Sequence, residues 1–148
     1  MIKTFRGKLE DGEQEVIRLS TKKGKIGYRI KKLQVVTAAP GTANLEHVIK
    51  VFKVTQSAAT ALIDFSDGNL LAVAVTQDYT AAYQLGWNQH IMFEQEVFNQ
   101  DIYITHKEGV GNALACNYYL ELETMPLTDN AASVSTLRDI RLNPQVGA

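Results

Sequence analysis

The sequence has one cysteine, three prolines, one tryptophan and no long apolar run. Each shortage removes a class of protein. A lone cysteine, Cys116, permits no disulfide within the chain, so nothing points to an oxidising compartment. The N-terminus, MIKTFRGKLEDG, lacks the apolar core of a secretory signal. The longest apolar stretch, in Asn69–Val75, is the size of a strand and far short of the roughly 20 residues of a membrane-spanning helix. No membrane partner is expected. Charged residues make up only 21% and hydrophobic residues 45%, which argues against disorder and allows a real core. At 148 residues, one domain over 1–148 is the simplest expectation.

Catalytic motifs are also missing. There is no GxSxG, no P-loop and no GxGxxG. Gly109-Val110-Gly111-Asn112 lacks the Lys-Ser/Thr and the following helix that a phosphate cradle needs. The histidines, His47, His90 and His106, stand in no HxH or HxxxH spacing and pair with no cysteine. They would converge on a metal only by an accident of the fold. His106, at a strand end, reads as a hydrogen-bonding surface residue, and Cys116, at a strand start, as an inert buried thiol. Glu94/Glu96 and Glu121/Glu123 each share one outward strand phase. Glycosidases use paired carboxylates, but neighbouring acids on one strand face read as a solvated row. No catalytic, cofactor-binding or metal-binding residue is assigned, and an enzyme is not expected.

What remains is strand pattern. Asp101–His106 alternates, with Ile102 and Ile104 opposed to Tyr103 and Thr105. Asn117–Glu123 alternates, with Tyr118, Leu120 and Leu122 opposed to Tyr119, Glu121 and Glu123. With Gly109 and Gly111 between them, the pair predicts an antiparallel hairpin with a long tip, Glu108–Ala115. Thr4–Leu9 predicts an edge strand, and Glu15–Ser20 and His47–Thr55 further strands. Ala61–Phe65 and Leu70–Thr76 predict a second hairpin around the turn Ser66–Asn69, and His90–Glu96 predicts a short strand. Ile26–Val36 reads as one long strand whose phase slips near Lys31-Lys32, which predicts a β-bulge there. After Met125-Pro126 the pattern changes, and Thr128–Arg141 predicts a short C-terminal helix against a competing last strand.

About eight short strands without a βαβ rhythm predict an all-β, antiparallel sandwich, jelly-roll-like, with a lipocalin-like barrel as runner-up. Tyr79, Tyr83 and Trp87 recur at four-residue spacing. They read either as rings capping an open end of the core or as an aromatic contact patch.

Charge is segregated. Residues 1–53 hold 12 Lys+Arg against 5 Asp+Glu, and residues 54–148 hold 3 against 11. Such halves either mix on the folded surface or drive contacts between copies. The run Lys22–Lys32 carries six Lys/Arg and Tyr28, a mix that tracks phosphates. An overall pI of about 6.3 argues against nucleic acid as the main partner.

Gly27–Leu33 (GYRIKKL), Phe98–His106 (FNQDIYITH) and Met125–Leu142 (MPLTDNAASVSTLRDIRL) together resemble small virion structural proteins of tailed phages of aquatic hosts. The resemblance implies a non-enzymatic particle component, made in the host cytoplasm and residing in the virion. Capsid decoration (cement) stands first, with head–tail, tail or fibre-base places open. It implies as partners other phage structural proteins, such as the major capsid protein, and further copies of the chain as a ring or trimer. The candidate subunit contact is Arg29, Lys31 and Lys32 meeting Glu121 and Glu123, with Tyr103 and Tyr119 as anchors. The same charges could equally meet across one sheet. A carbohydrate-binding sandwich, with Trp87 and Tyr83 stacking on sugar rings, is the alternative function.

Overall fold

The structure is a computed structural model that describes residues 1–21, 24–40, 44–78, 87–93, 95–128, 130–132, 134, 136 and 137. The side chains of Asp78, Trp87 and Asn88 lie outside that description. Eight strands are described: β1 (Ile2–Leu9), β2 (Gln14–Ile17), β3 (Ile26–Thr37), β4 (Leu45–Phe52), β5 (Leu70–Asp78), β6 (Trp87–Met92), β7 (Ile102–Glu108) and β8 (Cys116–Pro126). Helical residues follow at 130–132, 134, 136 and 137, which favours the helix over a last strand.

The strands form two antiparallel sheets, ordered β1-β8-β3 and β2-β7-β4-β5-β6. First pairs with last, second with seventh, and fourth with fifth. That nesting is the jelly-roll pattern. One departure is that β6 pairs with β5 in the larger sheet and only lies against β3. Two separate sheets rule out the closed lipocalin-like barrel.

Alternation explains which residues face inward. Ile30 and Leu33 on β3, Ile49 and Val51 on β4, Ile102 and Ile104 on β7, and Tyr118, Leu120 and Leu122 on β8 share one buried cluster between the sheets. The phase slip of β3 is real: Ile30 opposes Leu122 while Lys32 opposes Glu121, with the register shifting between them. The extra residue, Lys31, lets both apolar runs of one 12-residue strand face the core. Gly7 sits directly opposite Tyr118, and a Cβ there would stand 2.9 Å from the ring. Glycine thus makes room for the buried tyrosine.

The larger sheet is apolar on its outer side as well. Val48, Phe52, Leu70, Val73 and Val75 form a second cluster, with Ala61 and Phe93 packed against it. Segment 53–69 contributes to the cover. Lys50, on the same outward phase, donates from Nζ to Thr60 Oγ1 (3.0 Å) and to the Leu62 carbonyl (2.6 Å). Burial lowers the Lys50 pKa, and these bonds replace part of the water it loses.

Both expected hairpins are corrected. β7 pairs with β2 and β4, whereas β8 pairs with β1 and β3, so the two strands face each other across the core. The connection between them is a crossover between sheets, and sheets stand about 10 Å apart, too far for a tight turn. Alternation had defined which faces were inward but not which strands were partners. Ala61–Phe65 forms no strand. Both edges of β5 are taken, by β4 and β6, so no ladder is left for it. The turn itself exists, with Asp67 N bonded to the Asp64 carbonyl and Leu70 N to the Asp67 carbonyl.

Segments Gly27–Leu33 and Phe98–His106 and the start of Met125–Leu142 meet in space. Gly27 pairs with Met125, Tyr28 bridges Phe98, and their rings stack with centroids 6.2 Å apart. The fully buried Asn99 donates from Nδ2 toward Gly24 O (3.0 Å), Ala132 O (3.3 Å) and Thr136 Oγ1 (2.7 Å). One asparagine thus ties the helical residues to the start of β3.

Candidate functional site

The expected contact residues divide between two faces. Arg29, Lys31, Lys32, Tyr119, Glu121 and Glu123 lie on the outer side of the β1-β8-β3 sheet. Tyr103 lies on the outward phase of β7, opposite Val16 and Phe52 in the other sheet. The charges close within the chain. Arg29 Nε and Nη2 stand 3.0 and 2.9 Å from Glu123 Oε2, and Lys31 Nζ 3.9 Å from the same oxygen. The Arg29 hydrogen bond leads in holding the Glu123 carboxyl below its usual range. Tyr119 donates its hydroxyl to Glu121 Oε1 at 2.7 Å, and Glu121 also opposes Lys32. Part of the charge segregation is therefore neutralised where β3 lies beside β8.

Tyr79 and Tyr83 lie outside the described residues. Trp87 is placed by its backbone at the start of β6, opposite Gln77. Exposed large apolar side chains occur on several elements, among them Ile2, Val36 and Ile91 on strands, and three of them stand together on the loop before β5. Leu62 is 77% exposed, Phe65 57% and Ile63 40%. Phe65 meets Phe93 edge-on at 5.5 Å, and together with Leu70, Met92, Asp67 and Glu96 they line a shallow groove of about 420 Å³. Glu96 at its rim pairs with the buried Lys53 at 2.8 Å.

Chemistry-bearing residues converge at the end of the sandwich beneath the β7–β8 crossover. His47 shares the inward phase of Ile49 on β4, His106 that of Ile104 on β7, and Cys116 that of Tyr118 on β8. All three are fully buried. In the register His47 opposes Glu108 and Ile49 opposes His106, which makes the two histidines diagonal neighbours on one face. Cys116 comes from the opposite sheet, in register with Leu9 and Thr37. The nitrogen and sulfur donors of the trio lie within 4.8 Å of one another. His106 is thus an interior residue and not the surface residue its strand-end position suggested.

Hydrogen bonds fix the tautomers. His106 Nδ1 is 3.0 Å from the Glu10 carbonyl, which only accepts, so Nδ1 carries the proton. His106 Nε2 then accepts from His47 Nδ1 at 2.9 Å, and His47 Nε2 accepts from the Thr37 hydroxyl at 2.9 Å. Every ring nitrogen is used in this arrangement. Burial, and then the neighbouring His106, lowers the His47 pKa to about 4. Burial pushes the Cys116 thiol up to about 12.

Glu108 organises the cover. Its carboxylate accepts from Val110 N (3.0 Å), Gly111 N (2.6 Å), Asn112 N (2.7 Å) and Glu46 N (3.3 Å). Burial alone would raise its pKa, but these four donors hold it below the usual range. They also explain why the crossover can use a positive φ at Gly111 and Ala113: the turn wraps one carboxylate.

The inward phase of each of the three residues is legible in sequence. Their convergence is not, because it depends on strand partners far apart in the chain. Among the described residues, no helix is long and apolar enough to cross a membrane. Comparison of the sequence with known protein-family models and with curated proteins finds no match in either.

Proposed function

We propose that the chain is a non-enzymatic structural subunit of a tailed-phage particle, with capsid decoration as its foremost role, associating with further copies and with other particle proteins. The observation that carries this reading is the display of Leu62, Ile63 and Phe65 together on one loop of the sandwich. Large apolar side chains clustered on a surface are the usual anchors of protein contacts, whereas exposed ion pairs contribute little. The meeting of the three phage-like segments in one packed seam supports the same reading, since it gives those dispersed residues a common structural task. The intrachain pairing of Arg29 and Lys31 with Glu123 moves the proposed contact from that face to the loop.

The test replaces Leu62 and Phe65 by serine together. Both side chains are mainly exposed, so the thermal midpoint should hold while association with particles, or with further copies, falls. Association unchanged in the double variant sinks the loop as the contact.

A second reading, a carbohydrate-binding module, draws on the groove, where Phe65 and Phe93 stand beside Asp67, Gln95 and Glu96. Aromatic faces with polar rims suit sugar rings. Saccharide-induced shifts lost in Phe65→Ala would favour this reading, and a saccharide panel without response would remove it.

A further inference from the structure

We propose that His47, His106 and Cys116 bind one thiophilic d10 metal ion, Zn2+ or Cu+, which pins the two sheets together beneath the β7–β8 crossover. The donor set is two imidazole nitrogens and one thiolate, a combination these ions favour over calcium or magnesium. The three residues come from three strands and both sheets, yet their donor atoms lie within 4.8 Å of one another. Bond lengths of about 2.0–2.1 Å to nitrogen and about 2.3 Å to sulfur require the two nitrogens to part by about half an ångström from their present 2.9 Å, and the sulfur, within 4.8 Å of them, to stand about 3.5 Å from each.

The surroundings already suit a metal. Histidine ligands are generally oriented by a hydrogen bond from the other ring nitrogen. His106 has that bond to the Glu10 carbonyl, which leaves Nε2 to face the trio. His47 has Thr37 at Nε2, which leaves Nδ1 to face it. A hydroxyl is the one partner that serves both states, because it donates to a bare nitrogen and accepts from a protonated one. The nearest charges are favourable. Glu108 and Asp11 are the carboxylates felt at His47, and both would stabilise added positive charge.

The proton balance is explicit. On binding, the Cys116 thiol loses its proton and becomes the thiolate ligand. The proton on His47 Nδ1 is replaced by the metal and reappears on Nε2, where Thr37 turns from donor to acceptor. His106 keeps its proton on Nδ1. One proton is released per metal.

The experiment uses the full chain, unfolded and refolded under reducing conditions with Zn2+, Co2+ or Cu+, so that burial does not block entry. The expected result is one ion per chain, a raised thermal midpoint, one proton released, and with Co2+ a thiolate-to-metal absorption band. Tighter retention of Zn2+ or of Cu+ in competition decides between the two ions. Cys116→Ala should lose the band, and Thr37→Val should weaken binding by about 10–100-fold. Wild type that retains none of the three ions overturns the proposal. So does cobalt bound without the thiolate band, or Cys116→Ala that binds as tightly as wild type. These readouts are independent of particle association, so this inference and the assembly reading fail separately.

Discussion

His47 Nδ1 and His106 Nε2 stand 2.9 Å apart inside the sandwich, 59 residues apart in the chain. The pair belongs to a relay running from the Glu10 carbonyl through both rings to Thr37, and its direction follows from the fact that a carbonyl cannot donate. The relay joins the end of β3 to β4 and β7, and so links the two sheets at the end where the crossover closes them.

Thr37→Val tests the relay in metal-free protein. The substitution keeps the shape but leaves His47 Nε2 without its donor. A buried polar group without a partner costs about 1–3 kcal/mol. Urea unfolding with chelator present should show that loss. Unchanged stability would mean that the Thr37–His47 bond contributes nothing to the fold.

Asp101 sets an acid-side prediction. Burial alone would raise its pKa, but Leu19 N, Ser20 N and Ser20 Oγ donate to Oδ1 and Arg18 stands beside it, so the carboxyl is held below its usual range. A depressed folded pKa means that the unfolded chain binds protons more readily. The stabilisation is therefore full above the unfolded carboxylate pKa and is lost as pH falls through the folded one. Asp101→Asn should be less stable near neutral pH, with the gap to wild type narrowing at acid pH. Parallel stability-versus-pH curves for the two proteins would contradict this.

Gly7→Ala should destabilise the fold by about 1–3 kcal/mol, because the new methyl meets the Tyr118 ring in a packed interior. Burial raises the pKa of the Tyr118 phenol, with Glu15 adding to the effect. The ring itself is buried in the core cluster, so it has little room to give way. Chemical denaturation reads the cost. A neutral effect would mean that the β1–β8 pairing has more slack than the register shows.

Sequence made the strands legible because a half-buried strand must alternate. β1, β3, β5, β7 and β8 all appear within a few residues of their expected bounds. The bulge at Lys31 was legible for the same reason, since a slipped phase needs an extra residue. Pairing was not legible. Residues 102–106 and 117–123 carry the same alternation whether they lie side by side or face each other across a core, and only the strands on either side decide. The burial of Lys50 and Lys53 depends on the loop folded over β4 and on Glu96, and nothing in the order of residues placed either there. The chemical cluster was half legible: each of His47, His106 and Cys116 sits on an inward phase, but sequence gave no reason to place them at the same end.

Particle association is the decisive measurement. Sedimentation of the purified full chain, alone and mixed with tailed-phage capsids that lack it, reads the proposal in one experiment. The chain should move with the particles and saturate at a fixed copy number per particle. A chain that stays monomeric and never moves with the particles would contradict it.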